Sequence, residues 1–254
     1  MNIRMLGTGH GECKIKRFSS KDFRRQGGVI IDETILIDAP KDIFELENDL
    51  GFSDLYEKVG AILISHSHPG HFDASVITEL SRKRRIFVFA DKEVLKLLPQ
   101  SERIEPVAVR PFVPIEIDGY KIIPLPSNHR TENSAEKCLN FIISKDKTLF
   151  YALDGALINL DAWKMIKTLK LDAVIMDTAA ELSLPPEAQL YHSDYQMNLK
   201  IKSMLIASKL TSPSTRFILS HIPSSRKSGL HETLSALAKD NGLTVAYDGY
   251  YISI

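Results

Sequence analysis

Between residues 104 and 153 the chain reads as five strands in succession with no helix between them. The runs are Ile104–Val109, Val113–Ile117, Lys121–Leu125, Leu139–Ser144 and Thr148–Leu153. Asp118-Gly119 and Lys145-Asp146 stand where hairpin turns would close. Parallel strands need a long crossover between neighbours, so a hairpin-dense centre counts against a doubly wound parallel sheet. On both sides of this block, strand-like and helix-like segments alternate. Two β-rich zones, each accompanied by helices, predict two mixed sheets packed face to face with helices outside. This is an α+β, four-layer αβ/βα sandwich.

Before the central block, strands are expected at Ile3–Leu6, Gly28–Ile31, Thr34–Asp38, Ala61–Ile64 and Ile86–Phe89. Helices are expected at Asp42–Leu50, closed by Gly51, at Ala74–Arg84, and at Lys92–Leu98, stopped by Pro99. After it come helices Asp161–Leu169, Tyr195–Lys209 and Leu230–Lys239, and strands Ala173–Met176, Arg216–Leu219 and Thr244–Tyr247. No low-complexity linker divides the chain, which predicts one domain over residues 1–254.

Lysine plus arginine (32) balance aspartate plus glutamate (32), which argues against a protein held on nucleic acid by net charge. A basic run does occur at Lys14, Lys16, Arg17, Lys21, Arg24 and Arg25; a solvated loop is its first reading and a phosphate-binding segment its second. The run Arg82–Arg85 falls at the end of a predicted helix, where the dipole favours cations. Two cysteines, Cys13 and Cys138, make no disulfide framework, and Cys13 has no visible base partner. With no charged-then-apolar leader and no apolar run of spanning length, the expected compartment is the cytoplasm, with no membrane partner.

Chemistry concentrates in Ile64-Ser65-His66-Ser67-His68-Pro69-Gly70-His71-Phe72-Asp73. Residues two apart on extended chain point the same way, so His66 and His68 share a side. Pro69-Gly70 turns the chain and brings His71 back towards them, while Asp73 is placed to cap the next helix. Three imidazoles reaching one point suit a divalent metal. Farther on, His129, Asp154 and His221 each follow an apolar strand directly, as His66 does. Strand ends along one sheet edge form a rigid rim on which such residues can converge.

The run resembles the His-x-His-x-Asp-His signature of the metallo-β-lactamase superfamily, with its later histidine, bridging aspartate and final histidine. The resemblance covers nearly the whole chain, weakest around residues 181–190. It is nearest to the PhnP-type cyclic phosphodiesterases and the tRNA 3′-processing nucleases. Leu6-Gly7-Thr8-Gly9, Leu36-Ile37-Asp38-Ala39, Ser220-His221 and Ala246-Tyr247-Asp248-Gly249 are similar to that branch. By position it implies one metal on His66, His68 and His129, a second on His71 and His221, and Asp154 bridging both. The implied cofactor is one or two zinc ions per chain, with manganese or iron as alternatives. The implied reaction is hydrolysis of a cyclic or small nucleotide-like phosphodiester by metal-bound hydroxide. Asp154 and His192 are its catalytic candidates.

One position departs from that pattern: Gly70 stands where the family carries an aspartate ligand. The second site then loses a carboxylate, so occupancy could drop to one metal, or Asp73 or a water could fill the place; for Asp73 a helix cap is preferred. His192 lies just before a helix, either as a proton-transfer or substrate group or as a plain helix-start residue. His10, in Gly7-x-Gly9-x-Gly11, sits in a loop that no helix directly follows, so turn glycines are preferred over a nucleotide fingerprint, with the site lining left open. His231 is expected to be structural, and Asp177 is assigned no ligand role. Two alternatives stand beside the phosphodiesterase: a lactone, thioester or amide hydrolase, because one fold hosts many chemistries, and a non-catalytic binding protein retired by the change at position 70. A small phosphate ester is the expected partner. No stable nucleic-acid complex is expected, because no RNA-holding arm is visible, and a homodimer is left open.

Overall fold

The computed structural model describes residues 1–11, 21–49, 51–179, 185–223 and 230–254. One seven-stranded sheet runs, in spatial order, Tyr251–Ser253, Asn2–Gly7, Gly28–Ile31, Ile35–Ile37, Ala61–Leu63, Ile86–Ala90, Ile104–Ala108. The other runs Thr244–Val245, Thr211–Ser220, Leu171–Asp177, Thr148–Ala152, Leu139–Ser144, Tyr120–Pro126, Ile115–Ile117. Each sheet is antiparallel through one half and parallel through the other. Of the five central strands, Ile104–Ala108 forms the parallel edge of the first sheet, while the other four supply the antiparallel half of the second. Its tightest turn is Asp118-Gly119, both with positive φ (50° and 77°), as a two-residue hairpin requires.

Alternation along the strands builds three apolar layers. Ile3, Met5, Val29, Ile31, Phe141, Ile143, Leu149 and Tyr151 face inward and fill the space between the sheets. Their neighbours turn outward: Ile30, Leu36, Ile62 and Val88 meet Ile43 and Leu46 of helix Ile43–Asp49 and Val76 and Ile77 of helix Ala74–Ser81. On the other flank, Ile142, Phe150, Val174 and Phe217 meet Ala162, Ile201, Leu205 and Leu234 from helices Leu160–Ile166, Tyr195–Ala207 and Leu230–Asp240. Central strands buried on both faces read as continuous apolar runs, as in Leu149-Phe150-Tyr151. The result is the expected four-layer sandwich.

Several predicted elements shorten at their ends. Helix Ala74–Ser81 stops before Arg82, whose exposed guanidinium pairs with Glu79 at 3.0 Å, and the basic run lies beyond the last turn. Helix Lys92–Leu95 closes three residues early, and Thr244–Val245 is half the expected strand. Asp73 caps the second helix, accepting from Ser75 N at 2.7 Å, and Gly51 ends the first with φ of 70°; Leu50 lies outside the described residues. Four elements among the described residues were not anticipated: the edge strand Tyr251–Ser253, the short 3-10 helix Ala188–Leu190, and the two-residue strands Gly9–His10 and Ile222–Pro223, which pair in parallel. Among the described residues, no helix is long and apolar enough to cross a membrane.

Candidate metal centre

The expected rim of strand ends exists, and both sheets contribute to it. His66, His68 and His71 follow strand Ala61–Leu63 of the first sheet; His129, Asp154 and His221 follow three strands of the second. Asp38, Asp154 and His221 leave their strands with positive φ (60°, 48° and 59°). Left-handed backbone at a non-glycine residue stores strain of order 1–3 kcal/mol, which persists where surrounding contacts fix it.

His66 Nε2 lies 3.0 Å from His68 Nδ1, which lies 3.1 Å from His129 Nε2. Asp154 sits beside this trio, with Oδ1 3.7 Å from His129 Nε2 and 3.2 Å from His221 Nε2, and Oδ2 2.9 Å from His71 Nε2. All six residues named from the sequence as metal candidates therefore meet around one carboxylate. The Pro69-Gly70 turn returns His71 as expected, with its backbone N–H bonded to His68 O at 2.9 Å. Glu136 fixes the same loop by accepting from Ser67 N (2.8 Å) and Oγ (2.6 Å). Asp73 is spent on its helix cap and lies outside the cluster.

Second contacts set which imidazole nitrogen is free. Asp38 is wholly buried and accepts from His71 Nδ1 (2.8 Å), Ser65 N (2.7 Å), Ser65 Oγ (3.0 Å) and Tyr151 OH (3.1 Å). Because the carboxylate can only accept, His71 carries its proton on Nδ1 and turns Nε2 to Asp154. Ser65 Oγ gives its own proton to Asp38 and so accepts from His66 Nδ1 at 3.0 Å, leaving His66 Nε2 open. Such partners orient metal-ligating histidines. Asp38 carries no role in the sequence reading, although the strand-end pattern that marks Asp154 also marks it.

His192 enters the cluster from the loop before helix Tyr195–Ala207. Its Nδ1 donates to Asp177 Oδ2 at 2.8 Å, and its ring centroid lies 4.8 Å from that of His129. Asp177 thus positions His192. His10 is also at the site, its Nδ1 2.8 Å from His221 Nε2. The turn-glycine reading of its loop needs correction: of the three glycines only Gly11 has positive φ (73°). A Cβ on Gly7 would fall 1.9 Å from Gln26 O, and one on Gly9 2.7 Å from Arg24 O, so these two glycines permit close approach to the neighbouring segment.

At Arg24 and Arg25 the basic segment departs from both the solvated-loop and the phosphate-binding readings. Arg24 is almost wholly buried and bonds Thr8 Oγ1 and Ala246 O, while Arg25 pairs with Glu45 and Asp49. Both are committed to the fold; Cys13, Lys14, Lys16 and Arg17 lie outside the described residues. His231 is structural as expected, 3.0 Å from Arg24 Nη2. Cys138 is buried, and burial pushes its thiol up to about 12.

Burial and the neighbouring imidazoles push His66 well down; burial, chiefly, takes His129 to about 4. Burial works against the ionised form of Asp154, yet His221 and His71 hold its carboxyl well below the usual range. His71 is driven down by burial but up more strongly by Asp154 and Asp38, reaching about 10. An ionised carboxylate beside neutral His66 and His129 is the donor set a divalent cation takes, and loading displaces the proton that His71 holds towards Asp154. Asp154 is 4% exposed, and its two oxygens face His71 Nε2 at 2.9 Å and His221 Nε2 at 3.2 Å. Buried nitrogen and oxygen donors converging in this number are costly to desolvate; a cation among them would satisfy them together. The residues present fit the metal.

Residues 33–222 match the family model described as a beta-lactamase superfamily domain. No curated protein matches the chain in sequence. Among solved structures, a diphosphatase from the PhnP family is 20% identical with a TM-score of 0.74, over 99% of this chain and 96% of its own. Zinc-bound PqqB from Methylobacterium extorquens is 16% identical with a TM-score of 0.75, over 100% of both chains. The short form of human tRNase Z is 14% identical with a TM-score of 0.70, over 100% of this chain and 99% of its own. At such identities the likeness is one of fold. Together with the family match and the histidine–aspartate cluster, it identifies the chain as a member of the metallo-β-lactamase superfamily of metallo-hydrolases.

Proposed function

We propose that the protein hydrolyses a small phosphodiester, cyclic or nucleotide-like, with His66, His68 and His129 holding one divalent cation and His71, Asp154 and His221 a second. The observation that carries this reading is Asp154, a buried carboxylate facing imidazole nitrogens from both sheets, Oδ2 towards His71 and Oδ1 towards His129 and His221. Nitrogen-rich sites favour zinc, with manganese or iron as alternatives. A bound cation pair would lower the pKa of a water and stabilise charge on the attacked phosphoryl group.

The chain's own groups do the rest. Asp38 and Ser65 hold His71 and His66 in the tautomers that leave Nε2 free. His192, with Nδ1 tied to Asp177 and 15% of its side chain exposed, offers Nε2 to the leaving oxygen. Burial lowers its proton affinity, but the Asp177 bond and charge outweigh burial and raise it, in keeping with proton delivery. Arg130, beside His129 and exposed, lies over the Tyr191 ring at 5.1 Å and provides rim charge for a phosphate. The diphosphatase among the structural relatives supports phosphorus chemistry over carbon esters.

Zinc- or manganese-loaded protein should be assayed against bis-(p-nitrophenyl) phosphate, cyclic nucleotides, a lactone, a thioester and an amide. Phosphodiester turnover abolished by His68→Ala is the expected result. Turnover of carbon esters alone would overturn the phosphodiesterase reading, and no turnover with any metal would favour a retired binding protein.

A further inference from the structure

His10 is a chemistry-bearing side chain at this site that the proposed mechanism does not use, and its placement is tightly built. Strand Gly9–His10 pairs in parallel with Ile222–Pro223, the segment directly after His221. Ile222 N bonds Thr8 O at 2.8 Å, and Gly9 N bonds Arg25 O at 2.7 Å. Half-buried Asp248 accepts from both Thr8 N (2.9 Å) and Thr8 Oγ1 (2.8 Å), and from Arg25 N at 2.6 Å. The absence of Cβ atoms at Gly7 and Gly9 lets the backbone press onto residues 24–26. These contacts deliver the His10 ring to the rim: its centroid is 4.7 Å from that of His221 and 4.9 Å from that of His192. One ring nitrogen from each of the three lies within 4.8 Å of the others.

Two ligand atoms on one tetrahedral zinc stand about 3.3 Å apart, given bond lengths of about 2.0–2.1 Å. The first site shows separations of 3.0 and 3.1 Å. The His10–His221 pair shows 2.8 Å, and His221 stands 3.2 Å from Asp154 Oδ1. Each of these two pairs, which share His221, is spaced much like the pairs of the first site. Gly70, where the superfamily signature has its aspartate, leaves this half of the centre one donor short. Nothing local demands glycine there: φ is not positive, and a Cβ would make only ordinary contact, 3.6 Å from Gln26 Nε2.

We propose that His10 Nδ1 is a ligand of the second cation, joining His221 and Asp154 and replacing the carboxylate absent at position 70. The exchange of carboxylate for imidazole removes one negative charge and makes the site richer in nitrogen. It should bind zinc or cobalt in preference to manganese or magnesium. This assignment presupposes the metal centre proposed above.

The test is cation binding, independent of turnover. Metal-free protein is titrated with zinc against a chromophoric chelator and with cobalt(II) followed by visible absorption, for wild type, His10→Ala, His10→Gln and His10→Ala/Gly70→Asp. Melting curves check that each variant is folded. Wild type should take two cations per chain. His10→Ala and His10→Gln should keep the first and bind the second at least tenfold more weakly, with a changed cobalt spectrum. Adding Gly70→Asp to His10→Ala should restore the second. A folded His10→Ala with two cations of unchanged affinity and spectrum overturns the assignment while leaving the metal centre standing. A wild type that saturates at one cation also overturns it. A wild type that binds none removes the metal centre itself.

Discussion

Asp38→Asn should cripple the cation site while changing only an oxygen to an NH2 group. The carboxylate receives two donors on Oδ2 that an amide could only meet with its own hydrogens, Ser65 Oγ and Tyr151 OH, and a third, His71 Nδ1, that has no hydroxyl rotor. The backbone N–H of Ser65 uses Oδ1 and can stay bonded to the amide carbonyl of the variant. The two hydroxyls can rotate and become acceptors. The imidazole can accept from the new amide only by moving its proton to Nε2, the nitrogen facing Asp154 at 2.9 Å. A protonated Nε2 is no ligand. Loss of an orienting partner of this kind typically weakens metal affinity about 10–100-fold, or about 1.4–2.8 kcal/mol at 1.4 kcal/mol per tenfold. The introduced amide also cannot flip freely to avoid the conflict, because Ser65 N holds one side. Zinc competition against a chelator reads the loss directly, and circular dichroism checks the fold. A folded Asp38→Asn variant whose two zinc affinities match wild type within twofold would refute the tautomer argument.

Three other outcomes are expected. Chelation of a zinc-loaded sample should lower the melting temperature: a free cation at a thousand times its Kd stabilises by about 4 kcal/mol, worth about 8–16 °C in a chain of this size. An unchanged calorimetric melt would mean that no cation resides in the centre. Asp177→Asn should lower kcat about tenfold or more while zinc content stays at the wild-type level, since it frees His192 Nδ1 rather than a proposed ligand; a parallel loss of zinc would show that Asp177 acts on the metal. Phe141→Ala, in the layer between the sheets, should cost about 3–5 kcal/mol in urea unfolding, and a change below about 1 kcal/mol would contradict the packing described.

The architecture was legible because burial on one or both faces leaves a period in the sequence: alternation and Asp-Gly at Ile115–Pro126, continuous apolar runs at Thr148–Ala152 and Leu171–Asp177. What escaped was what lacks a period. Gly9–His10 and Ile222–Pro223 are two residues each, too short to alternate, and they pair across most of the length of the chain. Their signal is steric: glycines at 7 and 9 chosen for contact with residues 24–26, which the sequence shows only as a spaced pair. The six candidate ligands were readable from strand-end position. Asp38 and Asp177 occupy the same kind of position, but their work is to accept from other side chains, and only the fold shows which imidazole each one meets. Arg24 and Arg25 looked like surface charge because a sequence does not display the acidic and carbonyl groups, far along the chain, that absorb them.

The proposed ligands come from opposite halves of the sandwich: His66, His68 and His71 from one sheet, His129, Asp154 and His221 from the other. A cation held there would act as a rivet through the seam, since neither sheet alone offers a full coordination sphere. Uptake of metal by a refolding chain would then register the moment the halves dock, and release would demand that the seam loosen at its rim. Hydrogen exchange at Leu139 N, which bonds Ser65 O across that seam at 2.9 Å, should slow when the centre is loaded.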